Sequence, residues 1–380
     1  MRLCLVVESG IDVRVVEELA ARCVLEILAR PIPGGVVISQ VPSRPVPVRM
    51  GPASRPGFAL LVLRTLLAAR PRYDHVLVQG YALAALAANL ACRLTGTPAT
   101  MLVCSPVEAY YRCRRAHPAP GKRYRAPALW GLIALARLNA HLGGRYVVLS
   151  EYLARVVRGH GTPRPVHVIP IYGVDTEVFR PAPGGTAGRL AARERLGLPR
   201  EGALVFYSSR VAPEKDAETL LDALARLAAR GRDVRLLHRS GGHAEFLALA
   251  RERGVADRVI ATDAVHPVRE LPLSYQACDL CVQASRDEGL GISPLEALAC
   301  EVPVVATAVG GLRETIIEGE TGWTCPPGDP GALANAMAAA LDHPDEARRR
   351  AAAGREMVRR RFERRMVFDR LFEVLDPSRV

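Results

Sequence analysis

The chain has 380 residues, 49% hydrophobic, 24% charged and 5% aromatic, an ordinary globular balance that excludes disordered and collagen-like chains. Its 51 Lys and Arg against 39 Asp and Glu give a formal charge of +12, which concentrates polyanions of any kind without choosing among them and is equally explained by an arginine-rich genomic bias. No apolar run reaches the roughly 18 to 20 residues of a membrane-spanning helix, since Ala126 to Ala136 is closed by Arg137, so a soluble, cytoplasmic protein is expected.

Short apolar runs alternate with segments of helical period: Leu3 to Val7, Val24 to Leu28, Val76 to Val78, Thr100 to Val103, Tyr146 to Leu149, Leu204 to Tyr207, Val234 to Leu237, Asp279 to Val282 and Val302 to Ala306. Buried strands alternating with amphipathic helices are the pattern of parallel sheets covered on both faces. The fold class expected is therefore α/β, with two doubly wound domains. After the first run, Glu8-Ser9-Gly10 forms a turn and Asp12 is placed to cap a helix from Val13,. Ala126 to Leu142 reads as an apolar helix, preceded by a basic, aromatic stretch at 112–125. That stretch suits peripheral contact with an anionic membrane or a phosphate-bearing acceptor; a solvated loop is the plainer reading.

Periodicity fails from Ile169 to Asp175 and again from Arg180 to Gly188, where Pro and Gly gather,. The expected division is an N-terminal domain 1–181, a C-terminal domain 182–358 and a terminal amphipathic helix in 359–380, packing back on the first domain. That helix would contain the run Arg359 to Arg361 and the apolar positions Phe362, Met366, Val367, Leu371 and Val374,. The nine cysteines are odd in number and scattered through apolar segments, which fits buried reduced thiols better than a disulfide framework. Cys278 and Cys281 have CxxC spacing, but Ala277 to Val282 reads as a strand and no second ligand pair accompanies them,.

Three segments carry chemistry. In Ser208 to Asp216, Arg210 and Lys215 bracket a strand-to-helix loop, so two cations and a helix dipole can converge on one dianion,. In Asp287 to Ala299, Ser293 fits an N-cap, Pro294 the first helical position and Glu296 the third, a capping box,. Gly289 and Gly291 ahead of it allow a phosphate or sugar to approach the backbone. On spacing alone, Glu296 equally well only caps its helix, and Glu288 is a solvated carboxylate. Gly310-Gly311, after the Val302 to Ala306 run, is a third glycine turn.

Taken in order, Arg210-x4-Lys215, the Glu288-x7-Glu296 pair in Glu-Gly-Leu-Gly-Ile-x-x-Leu-Glu-Ala, Val-Pro-Val-Val-Ala-Thr-x-x-Gly-Gly and Glu-Gly-Glu-Thr-Gly-Trp resemble family 4 of the retaining glycosyltransferases, whose fold is GT-B. Upstream, Ile169-Pro170-x-x-Gly173-Val174-Asp175-x-x-x-Phe179-x-Pro181 resembles the family's interdomain connection. The resemblance implies two Rossmann-like domains facing a cleft, and sugar transfer from a UDP, GDP or ADP donor to a hydroxyl acceptor that is a glycan, a lipid-linked or phosphate-bearing group, or a small molecule. It implies that Arg210 and Lys215 neutralise the diphosphate, Glu288 contacts the donor sugar and Glu296 holds the ribose. The amides of Gly289, Leu290, Gly291, Ile292 and Ser293 would complete the donor cradle, with Gly10 approaching from the N-terminal half and base contacts near Val259 to Thr262. No Asp-x-Asp pair occurs, so metal-independent transfer without a cofactor is expected. The histidine that many members place after a middle N-terminal strand is missing from Val103 to Glu108, leaving Ser105 and Glu108 as substitutes. An epimerase or phosphorylase of the same architecture and a non-catalytic nucleotide-sugar binder are the alternatives; no motif for specific nucleic-acid binding is present.

Overall fold

The computed structural model describes residues 1–31, 45–118, 121–262 and 270–376. Residues 119 and 120 of the basic stretch and 377–380 of the terminal segment lie outside the described residues. The chain divides into two units, the first comprising 1–111, 124–173 and 365–380, the second 112–123 and 174–364.

The first unit alternates β1 (Arg2–Val7), α1 (Val13–Arg22), β2 (Val24–Ala29), β3 (Val48–Met50), α2 (Arg55–Ala68), β4 (His75–Gln79), α3 (Leu83–Thr95) and β5 (Ala99–Val103). It continues with α4 (Val107–Ala116), which runs on into the second unit, α5 (Ala126–Leu142), β6 (Arg145–Val148), α6 (Glu151–Gly159) and β7 (Val166–Val168). Its seven strands are parallel in the order β3-β2-β1-β4-β5-β6-β7.

The second unit runs α7 (Thr186–Arg195), β8 (Ala203–Tyr207), α8 (Ala217–Ala229), β9 (Val234–Arg239), α9 (His243–Glu252), β10 (Val259–Thr262) and α10 (Leu271–Gln276). Then follow β11 (Leu280–Gln283), α11 (Ile292–Ala299), β12 (Val304–Thr307), β13 (Trp323–Cys325), α12 (Pro330–Asp342) and α13 (Pro344–Arg361). Its six parallel strands lie in the order β10-β9-β8-β11-β12-β13. A final helix, α14 (Arg364–Leu375), returns to the first unit.

The α/β class and the two parallel sheets agree with the sequence reading, and every expected run contains a strand. The four unexpected strands, β3, β7, β10 and β13, are the sheet edges, three or four residues long. An edge strand is covered on fewer sides, so it needs no continuous apolar run; Val48, Arg49 and Met50 are all exposed.

Three local expectations need correction. The CxxC segment is not one strand: α10 ends at Gln276 and β11 starts at Leu280, so Cys278 lies in the intervening turn. Both thiols are buried and neither forms a disulfide, and burial pushes the Cys281 thiol up to about 12. Residues 359–376, expected to lie in one terminal helix, are not a single helix. The amide of Val174 donates to the Phe362 carbonyl at 2.7 Å and the Arg364 amide donates to Val174 at 3.1 Å, a bridge that breaks the helical ladder, so Arg359 to Arg361 close α13, where cations suit the helix dipole,. The third correction, the capping box, belongs to the site. No helix among the described residues is long and apolar enough to cross a membrane.

Candidate functional site

In a parallel sheet the crevice beyond the carboxyl ends of the strands opens where the strand order reverses. In the second unit that point lies between β8 and β11, which pair side by side although more than seventy residues separate them. The loops leaving those two strands are the Arg210–Lys215 and Glu288 segments. Both are pinned at their roots. Ser209 Oγ lies 3.3–3.4 Å from the Gln283 side-chain amide, the Ser209 carbonyl accepts from His238 Nε2 at 2.9 Å, and Gln283 Nε2 donates to Ser285 Oγ at 2.7 Å.

From this anchored root the first loop tightens into a turn at Pro213–Lys215, held by the Tyr207 phenol donating to the Lys215 carbonyl at 3.1 Å. Asp216 adopts φ +52 and caps α8, its carboxylate accepting from the Thr219 hydroxyl at 2.7 Å. Lys215 Nζ thereby reaches across and donates to Glu288 Oε2, which also accepts from Ser285 Oγ at 3.3 Å. Lys215 and Glu288, matched to one another only by resemblance in the sequence, are in direct contact.

Arg210 is more open, with its side chain 57% exposed, and donates to Glu214 Oε1 at 2.9 Å. Glu214 is fully buried and also takes a two-toothed contact from Arg114 at the end of α4, through Nε at 2.9 Å and Nη2 at 2.5 Å. Burial opposes its charge, but the Arg114 hydrogen bonds, a backbone amide and the Arg114 and Arg210 charges outweigh it and hold the carboxyl below the usual glutamate range,. Arg286 closes the cluster, its amide donating to the Glu214 carbonyl at 2.9 Å and its guanidinium to Asp216 at 3.0 Å. Arg114 is therefore not a free cation of the basic stretch.

The loop after Glu288 departs from the expected capping box. Gly291, at φ +87, is the N-cap residue, no side chain caps the helix, and α11 starts at Ile292. Ser293 and Glu296 turn inward instead: the buried Tyr275 phenol donates to Glu296 Oε2 at 2.8 Å and lies 2.9 Å from the Ser293 hydroxyl. A left-handed glycine reverses the chain without help from a side chain, which frees both polar groups for the interior. Burial, followed by the Glu296 charge, pushes the Tyr275 phenol well above the tyrosine value, so it remains a donor. Tyr275→Phe leaves a buried carboxylate short of a partner, an expected loss of about 1.5–3 kcal/mol in urea denaturation; an unchanged midpoint would show that Glu296 is satisfied without it.

Gly310-Gly311 packs against this loop. The Gly311 amide donates to the Glu288 carbonyl at 2.9 Å, and a Cβ on Gly311 would sit 2.2 Å from the Gly289 carbonyl oxygen. Neither backbone can yield cheaply, so Gly311→Ala should cost about 1–3 kcal/mol and displace Glu288. A thermal midpoint equal to that of the parent chain would refute this contact.

In the first unit, Gly10 is exposed and its carbonyl accepts from Gln79 Nε2 at 3.3 Å; Asp12 caps α1 as expected. Gly10 and Gln79 lie beyond β1 and at the end of β4, again the two strands at the reversal. Of the proposed histidine substitutes, Glu108 is buried and hydrogen-bonded at 2.7 Å to His160, whose ring meets Tyr81 edge-on. The sequence reading missed His160, along with Arg114, Glu214 and Tyr275.

A cavity of about 640 Å³ opens at the opposite, amino-terminal ends of β8, β9, β11 and β12. Arg189 pairs with Asp279 at 3.1 Å and Arg232 with Asp342 on its walls, so these charges are matched within the protein.

Residues 189–357 match the family described as glycosyl transferases group 1, and residues 6–178 match glycosyltransferase family 4. A D-inositol 3-phosphate glycosyltransferase of Xylanimonas cellulosilytica is 40% identical over 204 residues, 52% of this chain and 48% of that protein. The chain thus spans about half the length of that relative. Another D-inositol 3-phosphate glycosyltransferase, from Acidothermus cellulolyticus, is 31% identical over 88% of this chain and 74% of its own. Among solved structures, the sucrose-phosphate synthase of Thermosynechococcus elongatus superposes with a TM-score of 0.78 over 100% of both chains at 22% identity, a likeness of fold.

Proposed function

Because the chain belongs to the group 1, family 4 glycosyltransferases, we propose that it moves a sugar from a nucleoside diphosphate donor to a hydroxyl acceptor, with retention at the anomeric carbon and without a metal. The observation that carries this reading is the Lys215–Glu288 contact at the ends of β8 and β11. One ammonium and one carboxylate meet there, beside the exposed Arg210 guanidinium.

In this reading the donor pyrophosphate takes Lys215 away from Glu288 and draws in Arg210, and the released carboxylate turns to the sugar hydroxyls. The bond from the anomeric carbon to the phosphate oxygen breaks, the acceptor oxygen bonds to that carbon on the same face, and the acceptor proton passes to the departing phosphate. Fixed cations where negative charge develops lower the barrier without rearranging. Two cations from the protein and no Asp-x-Asp pair in the chain support metal-independent departure. Glu296, held by Tyr275, would bind the ribose, and the amides from Gly289 to Ser293 the phosphates. The exposed cations Arg112, Arg115, Lys122, Arg123 and Arg125 favour an acceptor that bears a phosphate or a lipid, reached from the cytoplasmic side of a membrane.

The test is a panel of UDP, GDP and ADP sugars against mixed hydroxyl acceptors, with product configuration read by NMR. Transfer with retained configuration in the presence of a chelator is the expected result. Inverted product, or strict dependence on a divalent cation, would overturn the mechanism. Donor binding in calorimetry with no transfer would favour a binding protein.

A further inference from the structure

Helices α2, α3 and α5 form one layer, α2 packing on α3 and α3 on α5, with α3 seated on β4 and β5. A helix of a globular protein keeps its apolar stripe inward and its outer face polar. These three do not. Leu60 and Leu67 of α2, Leu90 and Leu94 of α3, and Trp130 and Leu138 of α5 are exposed, Trp130 at 74% and Leu94 at 67%. Single exposed leucines are commonplace, but a row on each of three adjacent helices makes an extended apolar patch, the mark of a contact surface.

The charges on this face are of one sign. Each outer row carries one exposed arginine, Arg64 on α2, Arg93 on α3 and Arg137 on α5, and none of the three helices contains an acidic residue. From Val48 to Gly144, leaving out 112–123 of the second unit, the chain has eight Arg and two acids. Of those acids, Glu108 is buried against His160 and Asp74 accepts from the Arg2 amide at 2.6 Å. A second copy of the chain would set arginine against arginine. Nucleic acid would satisfy the arginines and leave the leucines and Trp130 without an apolar partner.

An anionic bilayer offers both layers at the required depths: phosphates for guanidinium groups on flexible stems, and the acyl boundary for leucine and an indole. We propose that the outer face of α2, α3 and α5 is a peripheral docking surface for an anionic lipid membrane. The proposal rests on this surface alone and not on the reaction described above, so the failure of either leaves the other standing.

The test uses the full chain, without donor or acceptor, in flotation with vesicles of phosphatidylcholine alone and of phosphatidylcholine with about one-third phosphatidylglycerol. Binding to the anionic vesicles is expected, weakening with salt, with a blue shift of tryptophan emission that Trp130→Phe removes, since the other tryptophan, Trp323, is buried beneath Arg350. The combined variant Arg64→Glu, Arg93→Glu, Arg137→Glu should bind at least about tenfold more weakly. Should that variant fail to fold by circular dichroism, Trp130→Ser is the substitute, because a residue 74% exposed can be replaced without disturbing the core; weakened binding is expected of it too. Equal binding to neutral vesicles, no binding to either, binding without the blue shift, or binding untouched by the variants would each overturn the proposal. So would a dimer in sedimentation that Trp130→Ser dissolves, which would assign the face to a second copy of the chain.

Discussion

Lys215→Ala is expected to lower turnover by about 10²–10³-fold, the usual cost of removing one fixed donor aimed at developing negative charge. The same change should also destabilise the protein. Glu288 is only 8% exposed, and its Oε2 would lose the ammonium while keeping the Ser285 contact. A largely buried carboxylate that loses its cation typically costs about 3–5 kcal/mol, and partial exposure places this one toward the lower end. The two effects separate in a double variant. Lys215→Met with Glu288→Gln removes both charges and should recover most of the stability in urea denaturation while turnover stays low. If Lys215→Ala retained full turnover and lost only stability, the ammonium would be a structural partner of Glu288 and the donor-site reading would fall.

Glu214→Gln should have the second largest effect, and it acts at a residue that touches no substrate in this reading. The carboxylate is fully buried between Arg114 and Arg210. Its neutral replacement leaves two guanidinium groups facing an amide, at an expected cost of about 3 kcal/mol at neutral pH, and it releases Arg210 to several orientations, raising the donor KM more than it lowers kcat. The pH dependence has a definite sign. Because the folded carboxyl titrates below its ordinary value of 4.5, the stabilisation it gives is complete above that value and is lost as pH falls through the folded value. The stability gap between parent and variant should therefore be constant near neutrality and shrink below about pH 4.5. A gap that persisted unchanged into strong acid would mean that the charge of Glu214 is not what the arginines require.

The positions that sequence reasoning reached and those it missed differ in how far along the chain their partners lie. Arg210 and Lys215 stand out locally because a strand, a loop and a helix follow one another, whereas Glu288 reads on spacing as a solvated carboxylate and is singled out only by the family resemblance. That Lys215 and Glu288 touch depends on β8 lying beside β11, an ordering that no local pattern carries. Arg114 and Glu214 are 100 residues apart, and each reads as an ordinary solvated charge until the fold buries one against the other. Ser293 and Glu296 show the opposite error, a local pattern that was present but unused. Their spacing is that of a capping box, yet Gly291 makes the turn by itself and the buried Tyr275 claims both side chains. The edge strands were invisible for a related reason: half-covered segments need no apolar run, and it was apolar runs that marked the strands.

The final helix has a consequence for how the molecule comes into being. Val367, Phe368, Leu371 and Leu375 are buried, Arg145 donates to the Val374 carbonyl and Arg22 lies over the Phe368 ring, all within the first unit. The rest of the first unit thus waits, with an oily seat uncovered, until residues 365–375 have been made. A nascent or truncated chain that stops before Arg364 would present that seat to chaperones and proteases.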